Sequence, residues 1–324
     1  MQWQPKCNEK RNALGLEQKS TIPEYPQFKV VSFSDKYSFE QFVHEYETYS
    51  DFNFNSFFSW DTTEVHELSQ LNGNLVLKFA DYITSEPFYS LIGTTEVDDT
   101  ILELLERSEK NGFYPILKLV SEVTVNAIKN SADFSIVADP NNHDYIFSIT
   151  ELSELKGHRF HSKRRAAKKC AATNKVTISD ESKNVIVETS IIEVLNKWEI
   201  CKRQSGKDVD MGHELIAVKR ILKNLTSQET LYVTVAKHED EIVGFSIDEL
   251  LPNKFVLSHY FKTLPGINGL AEYLNMTVAR KFRELGYEHW SWEQDLGISS
   301  LKTMKLGYRP VSMQRKYIIQ KGIG

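Results

Sequence analysis

The sequence predicts an α/β (α+β) chain built as two related domains in tandem. Three observations predict it. Short apolar segments with strand character alternate along the chain with amphipathic helical segments. The length, 324 residues, suits about two domains. The second half also repeats the element style of the first, although no residue-by-residue repeat accompanies it. The expected division is a lead-in over 1–27, a first domain over 28–150 and a second over 151–324.

The elements follow in order. The lead-in is polar and ends in Ile22-Pro23-Glu24-Tyr25-Pro26. Phe28 to Ser34 reads as a strand, and Phe39, Phe42, Val43, Tyr46 and Tyr49 stand near helical spacing within Ser38 to Trp60. Asn74 to Ala80 and Phe88 to Ile92 read as strands. Val97 to Lys110 reads as an amphipathic helix stopped by Gly112. Strands are expected at Pro115 to Val120, Phe134 to Ala138 and Tyr145 to Ile149, with a short helix at Glu122 to Asn130. In the second half, helices are expected at His158 to Thr173, Ile191 to Gln204 and Glu214 to Leu225, with a strand at Val176 to Ile178. Three successive strands follow, Leu231 to Lys237, Glu241 to Leu250 and Phe255 to Tyr260. The long helix Leu270 to Leu285 keeps Leu270, Leu274, Val278, Phe282 and Leu285 on one face, and Gly286 stops it. His289 to Glu293 is a strand, Ser299 to Lys305 a helix and Val311 to Ile319 a last strand.

Composition narrows the function classes. Apolar residues make up 41% and charged residues 26%, which excludes disorder and low-complexity classes for the body of the chain. Cys7, Cys170 and Cys201 are odd in number and far apart, so neither a disulfide framework nor a zinc site is expected, as suits a reducing cytosol. The start of the chain has no apolar signal region, and no run approaches the roughly 18 to 20 apolar residues that span a bilayer. A cytoplasmic protein, at most peripheral to a membrane, is expected. The net charge of −5 argues against polyanion partners, yet it hides a local excess. Leu155 to Ser179 holds eight Lys and Arg and no Asp or Glu, so this island carries +8 and the rest −13.

Four segments carry candidate chemistry. In the island, drawn as a helix, Phe160, Ala167, Cys170 and Ala171 form an apolar seam. Arg159 with Lys163, Arg164 with Lys168 and Arg165 with Lys169 are like-charge pairs at i,i+4 that repel unless an anion neutralises them. Phosphates of RNA, a nucleotide or a lipid would do so; acids elsewhere in the chain are the alternative. In Trp290-Ser291-Trp292-Glu293-Gln294-Asp295-Leu296-Gly297, Glu293 and Asp295 lie at i,i+2 where a strand ends, suited to general-base work or to holding an amino group. The alternative is a turn in which Asp295 caps the next helix. Lys302 and Lys305, a helical turn apart, and Tyr308 can stabilise an oxyanion or phosphate. The loop before the long helix contains Gly269, and helix N-termini suit anions. His259, just upstream, either lines the same cleft or is a satisfied core histidine. No G-x-S-x-G elbow, Walker A loop or H-E-x-x-H motif is present.

Three strands, a helix, a strand, a helix and a strand resemble the order of an acyltransferase half. Several stretches also resemble the catalytic-domain family of phosphatidylglycerol lysyltransferases. Leu155 to Arg165 is similar to its L-x-G-[KR]-x-[YF]-x-x-K-R-N segment, and Ser291 to Ile298 to N-x-E-x-D-L-G-I. Leu301 to Pro310 is similar to L-R-x-x-K-x-S-Y-x-P, and Asp144 to Phe147 to D-Y-x-Y. The order agrees, and the similarity covers about Phe28 to Gln320. Arg165, Ser291 and Gly307 depart from the family's Asn, Asn and Ser. The resemblance implies a tandem GNAT-like fold, two mixed sheets flanked by helices, and transfer of an aminoacyl group from aminoacyl-tRNA to an amine or hydroxyl acceptor, with no metal or CoA. Chemistry then assigns Glu293, Asp295, Lys305 and Tyr308 as catalytic candidates. It assigns Arg159, Lys163, Arg164, Arg165, His259, Gly269 and Lys302 as substrate-binding candidates. A CoA-dependent N-acyltransferase is the alternative: Gly269-Leu270-Ala271 is similar to the tail of the acetyltransferase [Gln/Arg]-x-x-Gly-x-[Gly/Ala] loop, but Gly266 stands where Gln or Arg belongs. A non-catalytic binding module on the same fold is a third reading.

Overall fold

A computed structural model describes residues 20–322 apart from 174, 185–186 and 207–210, so Cys7 and most of the lead-in lie outside the described residues. The first half runs β1 (Lys29–Val30), α1 (Lys36–Val43), α2 (Phe54–Ser59), β2 (Glu67–Leu71), β3 (Asn74–Ala80), β4 (Pro87–Ile92), α3 (Val97–Lys110), β5 (Leu117–Ser121), α4 (Glu122–Val125) and β6 (Phe134–Ala138). The second runs β7 (Asp144–Ser148), α5 (Ile149–Glu154), α6 (His161–Thr173), β8 (Val176–Asp180), α7 (Val187–Gln204), α8 (Gly212–Leu222), β9 (Leu231–His238), β10 (Glu241–Leu251) and β11 (Phe255–Thr263). It ends with α9 (Leu270–Glu284), β12 (His289–Ser291), α10 (Ser299–Gly307), β13 (Ser312–Gln314) and β14 (Lys316–Lys321). The strand β2 and the helix α5 had no counterpart in the sequence reading; the polar mixture in Glu67–Leu71 hides the alternation that marks a strand.

Each sheet has seven strands, ordered β1-β2-β3-β4-β5-β14-β6 and β13-β7-β12-β11-β10-β9-β8. Both faces of each sheet are covered, which explains the continuous apolar strands. Along β9, Leu231, Val233 and Val235 pack toward α7 and α8, while Tyr232 and Ala236 pack toward α5, α6 and α9. Along β3, Leu75, Leu77 and Phe79 join the aromatic cluster of α1 and α2, whereas Val76 faces α3. This is the two-residue period of a strand buried on both sides.

The sheets do not divide at residue 150. Strand β7, expected in the first domain, pairs in the second sheet; the C-terminal strand β14, expected in the second, inserts between β5 and β6 of the first. The single strand expected over Val311 to Ile319 is therefore two strands, and one residue, Arg315, separates them. Lys316 explains the switch. Its side chain is fully buried and its Nζ donates to Asp144 Oδ1 at 2.8 Å, to Ser50 Oγ at 2.9 Å and to Asp51. Asp144 opens β7 in one sheet and Lys316 opens β14 in the other, so the ammonium ties both crossings to the turn at residues 50–52. Ser50 adds its backbone N–H, 2.9 Å from Asp144 Oδ2.

Removing one partner of a buried ion cluster leaves uncompensated charge in a dry site. Lys316→Met is expected to destabilise the fold by about 3–5 kcal/mol, read by denaturant unfolding. Burial also pushes the Asp248 carboxyl on β10 up to about 7, against the hydrogen bonds it accepts from Ser246, Ser258 and Trp290. The folded chain keeps this proton up to about pH 7, while the unfolded chain loses it near its ordinary 3.8. Stability is therefore lost as pH rises between these values. The melting-temperature gain of Asp248→Asn over the wild type is expected to grow from pH 4 to pH 7.

Candidate active site at the seam of the two sheets

Strands β11 and β12 run parallel but pair only over 255–257 and 289–291. Beyond these residues they are not paired, and the chain after β12 bonds to Tyr145 of β7 through Trp292 and Glu293 before it turns. The turn is held in an unusual backbone: Glu293 and Leu296 both have φ of +54°. Left-handed backbone at a glutamate and a leucine persists only where surrounding groups impose it. Lys305 does so from α10. The residue is 5% exposed, and its Nζ donates to the backbone oxygens of Gln294 at 2.7 Å, Glu293 at 3.2 Å and Trp292. Asp295 is fully buried, accepts from the Tyr145 hydroxyl and takes the Gly297 N–H at 2.8 Å.

These contacts correct two expectations. Lys305 and Asp295 are buried, and all three ammonium hydrogens and both carboxylate oxygens are engaged by protein groups around the turn that presents Glu293. Burial pulls the Lys305 amine down to about 8, opposed by Glu293, Asp144 and Asp295. Three carbonyl acceptors match a charged ammonium, which has three N–H groups to offer.

Glu293 is the carboxylate that remains open, its side chain 16% exposed. Burial pushes it up to about 8, helped by Asp144 and Asp51 and opposed by Lys305 and Lys316. Its Oε1 lies 3.2 Å from Ser56 Oγ and 3.8 Å from His259 Nδ1. His259 is a buried partner rather than a cleft-lining group: its side chain is 1% exposed and lies between Ser56 and Glu249, whose Oε2 is 3.1 Å from Nε2. Gln294, the next residue, accepts from Ser50 Oγ at 2.9 Å and joins the turn to the Lys316 cluster.

Tyr308 is also buried, its ring edge-on to Trp292 at 4.9 Å between centroids. Burial raises its hydroxyl, so it stays a neutral donor. Lys163 stacks its ammonium over this ring at 3.7 Å, and burial lowers its amine, opposed by Glu272. Lys163, Tyr308, Trp292 and Glu293 are thus successive neighbours leading from α6 into the seam.

The rest of the island divides by partner. Arg159 pairs with Glu151, and Arg164 donates to the carbonyls of Leu155 and Gly157, closing α5. Arg165, Lys168 and Lys169 are exposed and make no ion pair among the described residues. Phe160, Ala167 and Cys170 form the expected seam, while Ala171 is exposed. Lys302 is half-buried on α10, and its side chain makes no hydrogen bond or ion pair among the described residues.

Gly269 has a packing reason. Its φ is +82°, and a Cβ there would meet the Ala166 oxygen at 2.3 Å, so the backbone of α6 lies against the start of α9. Ser50, Asp51, Ser56, Glu249 and Lys316 were not singled out by the sequence. Their partners lie up to 266 residues away, so spacing carries no signal of them.

Two seven-stranded mixed sheets in one chain, with an opened parallel strand pair beside a helix in the second, define a tandem GNAT-like acyltransferase fold. The chain belongs to the family described as phosphatidylglycerol lysyltransferase, C-terminal, which matches residues 44–320. Aminoacyltransferases are among its members. No curated protein matches the sequence. Among solved structures, a conserved protein of unknown function from Bacteroides thetaiotaomicron is similar, with a TM-score of 0.78, 21% identity, and coverage of 91% of this chain and 99% of that one. L-PGS from Bacillus licheniformis gives 0.58 at 13% identity, covering 94% of each chain. FemX gives 0.54 at 8% identity, covering 91% and 95%. Among the described residues no helix is long and apolar enough to cross a membrane.

Gly269→Val should lower the melting temperature by several degrees, because both the backbone angle and the contact with α6 reject a side chain. Gly266→Ala, in open space but also at positive φ, should cost less.

Proposed function

We propose that the protein transfers an aminoacyl group from aminoacyl-tRNA to an amine or hydroxyl acceptor, with Glu293 as the general base. The observation that carries this reading is Glu293 itself. It is a partly exposed carboxylate on imposed left-handed backbone, and its affinity for protons is raised to the range in which a base exchanges them near neutral pH. The acceptor nitrogen or oxygen loses its proton to Glu293 as it attacks the ester carbonyl. The Lys163 ammonium, which stands over the Tyr308 ring, is the group that would stabilise a developing oxyanion or terminal phosphate.

The donor approaches from α6. One flank of this helix faces Tyr308. The other forms a groove of about 720 Å³ with α5 and α9, lined by Lys156, Arg164, Lys168, Arg280 and Arg283 against Glu154 and Glu284. This placement suits an RNA backbone in the groove with its charged 3′ end crossing to Lys163. The CoA reading has less support, since the helix start that would cradle a pyrophosphate is pressed against the backbone of α6 at Ala166.

Filter retention and transfer of a radiolabelled aminoacyl-tRNA pool test the proposal. Glu293→Gln is expected to retain RNA and to lose about 10²- to 10⁴-fold in transfer rate. The wild-type rate should climb with pH up to about 8, because the base works only when deprotonated. Arg165→Glu with Lys169→Glu, both exposed, should weaken retention and its salt dependence. Retention insensitive to salt, or full transfer by Glu293→Gln, would overturn the reading.

A further inference from the structure

Glu293 is the outer end of a chain of buried groups that the transfer reaction as described does not use. Ser56 Oγ lies 3.2 Å from Glu293 Oε1 and 3.2 Å from His259 Nδ1. His259 Nε2 lies 3.1 Å from Glu249 Oε2. Glu249 is itself fixed by Asn53 Nδ2 at 2.8 Å, by Thr230 Oγ1 at 3.3 Å and by Lys36 at 3.6 Å. Against the burial that would raise it, Lys36, His259 and Asn53 hold the Glu249 carboxyl far below the ordinary range. Glu249 is therefore a carboxylate, and Nε2 must carry a hydrogen toward it.

Without an extra proton, Glu293 is a carboxylate, the His259 ring is neutral, and both compete for the single Ser56 hydroxyl hydrogen. With one extra proton on the chain, counting hydrogens leaves two arrangements. If the His259 ring is neutral, its Nδ1 is a bare acceptor and takes the Ser56 hydroxyl hydrogen. Ser56 Oγ can then only accept from Glu293, so Glu293 is protonated. If the ring is an imidazolium, Nδ1–H donates to Ser56 Oγ, Ser56 donates to Glu293, and Glu293 is a carboxylate. The two arrangements hold the same number of protons and the same total charge. They differ by one hop across each of two hydrogen bonds, with no movement of heavy atoms.

We propose that Ser56, His259 and Glu249 form a proton relay that restores Glu293 to its basic form during transfer. The proposal rests on Glu293 acting as the base. The relay starts without the extra proton: as the acceptor nitrogen bonds to the ester carbonyl carbon, its proton passes to the Glu293 carboxylate while the His259 ring is neutral. Glu293 then gives a proton to Ser56 Oγ, and the Ser56 hydroxyl proton moves to His259 Nδ1. The imidazolium is held by the Glu249 carboxylate. When the bond from the carbonyl carbon to the ribose oxygen breaks, the proton returns along the same path to that oxygen, and the enzyme ends unchanged. Ser56 and Asn53 come from α2 and its cap, whereas His259 and Glu249 come from β11 and β10, so the relay exists only when the two halves are assembled.

The test uses the full chain, labelled with 15N-histidine and 13C-glutamate, observed by NMR from pH 5 to 9. His259 is identified by loss of its signals in His259→Gln. The relay requires the His259 ring nitrogens and the Glu293 carboxyl to respond over the same pH range. It also requires the pH response of the His259 ring to shift in Glu293→Gln, whose amide can neither take up nor release the relayed proton. In the transfer assay, Ser56→Ala should lose about 10- to 100-fold in kcat with KM little changed and a displaced pH profile. Ser56→Thr, which keeps the hydroxyl, should recover most of the rate. A His259 ring in one state throughout, indifferent to Glu293→Gln, overturns the relay even if Ser56→Ala fails to fold. If Glu293→Gln transfers normally, the base assignment falls instead. If Glu293→Gln is inactive while Ser56→Ala keeps the wild-type rate and pH profile, the relay alone falls.

Discussion

One buried ammonium organises the molecule. Lys316 stands at the point where the chain leaves the second sheet for the first, and its three donors are spent on Ser50, Asp51 and Asp144. A dry ion cluster of this kind adds little net stability over apolar packing, but it tolerates one arrangement and penalises others. Here that arrangement fixes the register of β14 between β5 and β6 and the start of β7 beside β12 and β13. It also places two carboxylates beside the seam, and Asp144 and Asp51 are among the groups that raise Glu293. Architecture and site electrostatics therefore share the same residues.

Around this cluster the site is built by division of labour. Lys305 and Asp295 define a turn, the turn holds Glu293 in a backbone it would not choose, and Glu293 alone reaches outward. Tyr308 connects the turn to α6 through Trp292 and Lys163. The basic island then has three uses. Arg159 and Arg164 close α5, Lys163 stacks on Tyr308, and Arg165, Lys168 and Lys169 remain exposed at the surface.

The sequence made most of the elements legible, because apolar periodicity is local. β3, β4, α3, α9 and the three strands β9 to β11 fall close to the expected residues. It did not reveal which sheet a strand joins. Val311 to Ile319 reads as one strand, and only the demand of two buried aspartates for Lys316 splits it. For the site, the motif over residues 291–298 marked the right turn, and the island marked the right helix. Which member of each motif faces outward was not legible. Glu293 and Asp295 look equivalent at i,i+2, and left-handed backbone at 293 and 296 decides between them. Ser56 and Glu249 are 193 residues apart in the chain and become partners of His259 only through the fold.

The central claim is that acyl transfer takes place at Glu293, in the opening between β11 and β12, with the donor arriving over α6. The most direct measurement is a structure of the protein with a non-hydrolysable 3′-aminoacylamido analogue of the terminal adenosine of tRNA. The account predicts the acyl carbon beside the Glu293 carboxyl, within the few ångströms that attack by an activated nucleophile requires. It also predicts the analogue's phosphate side toward Lys163. An analogue bound elsewhere, with Glu293 left facing solvent, would contradict it.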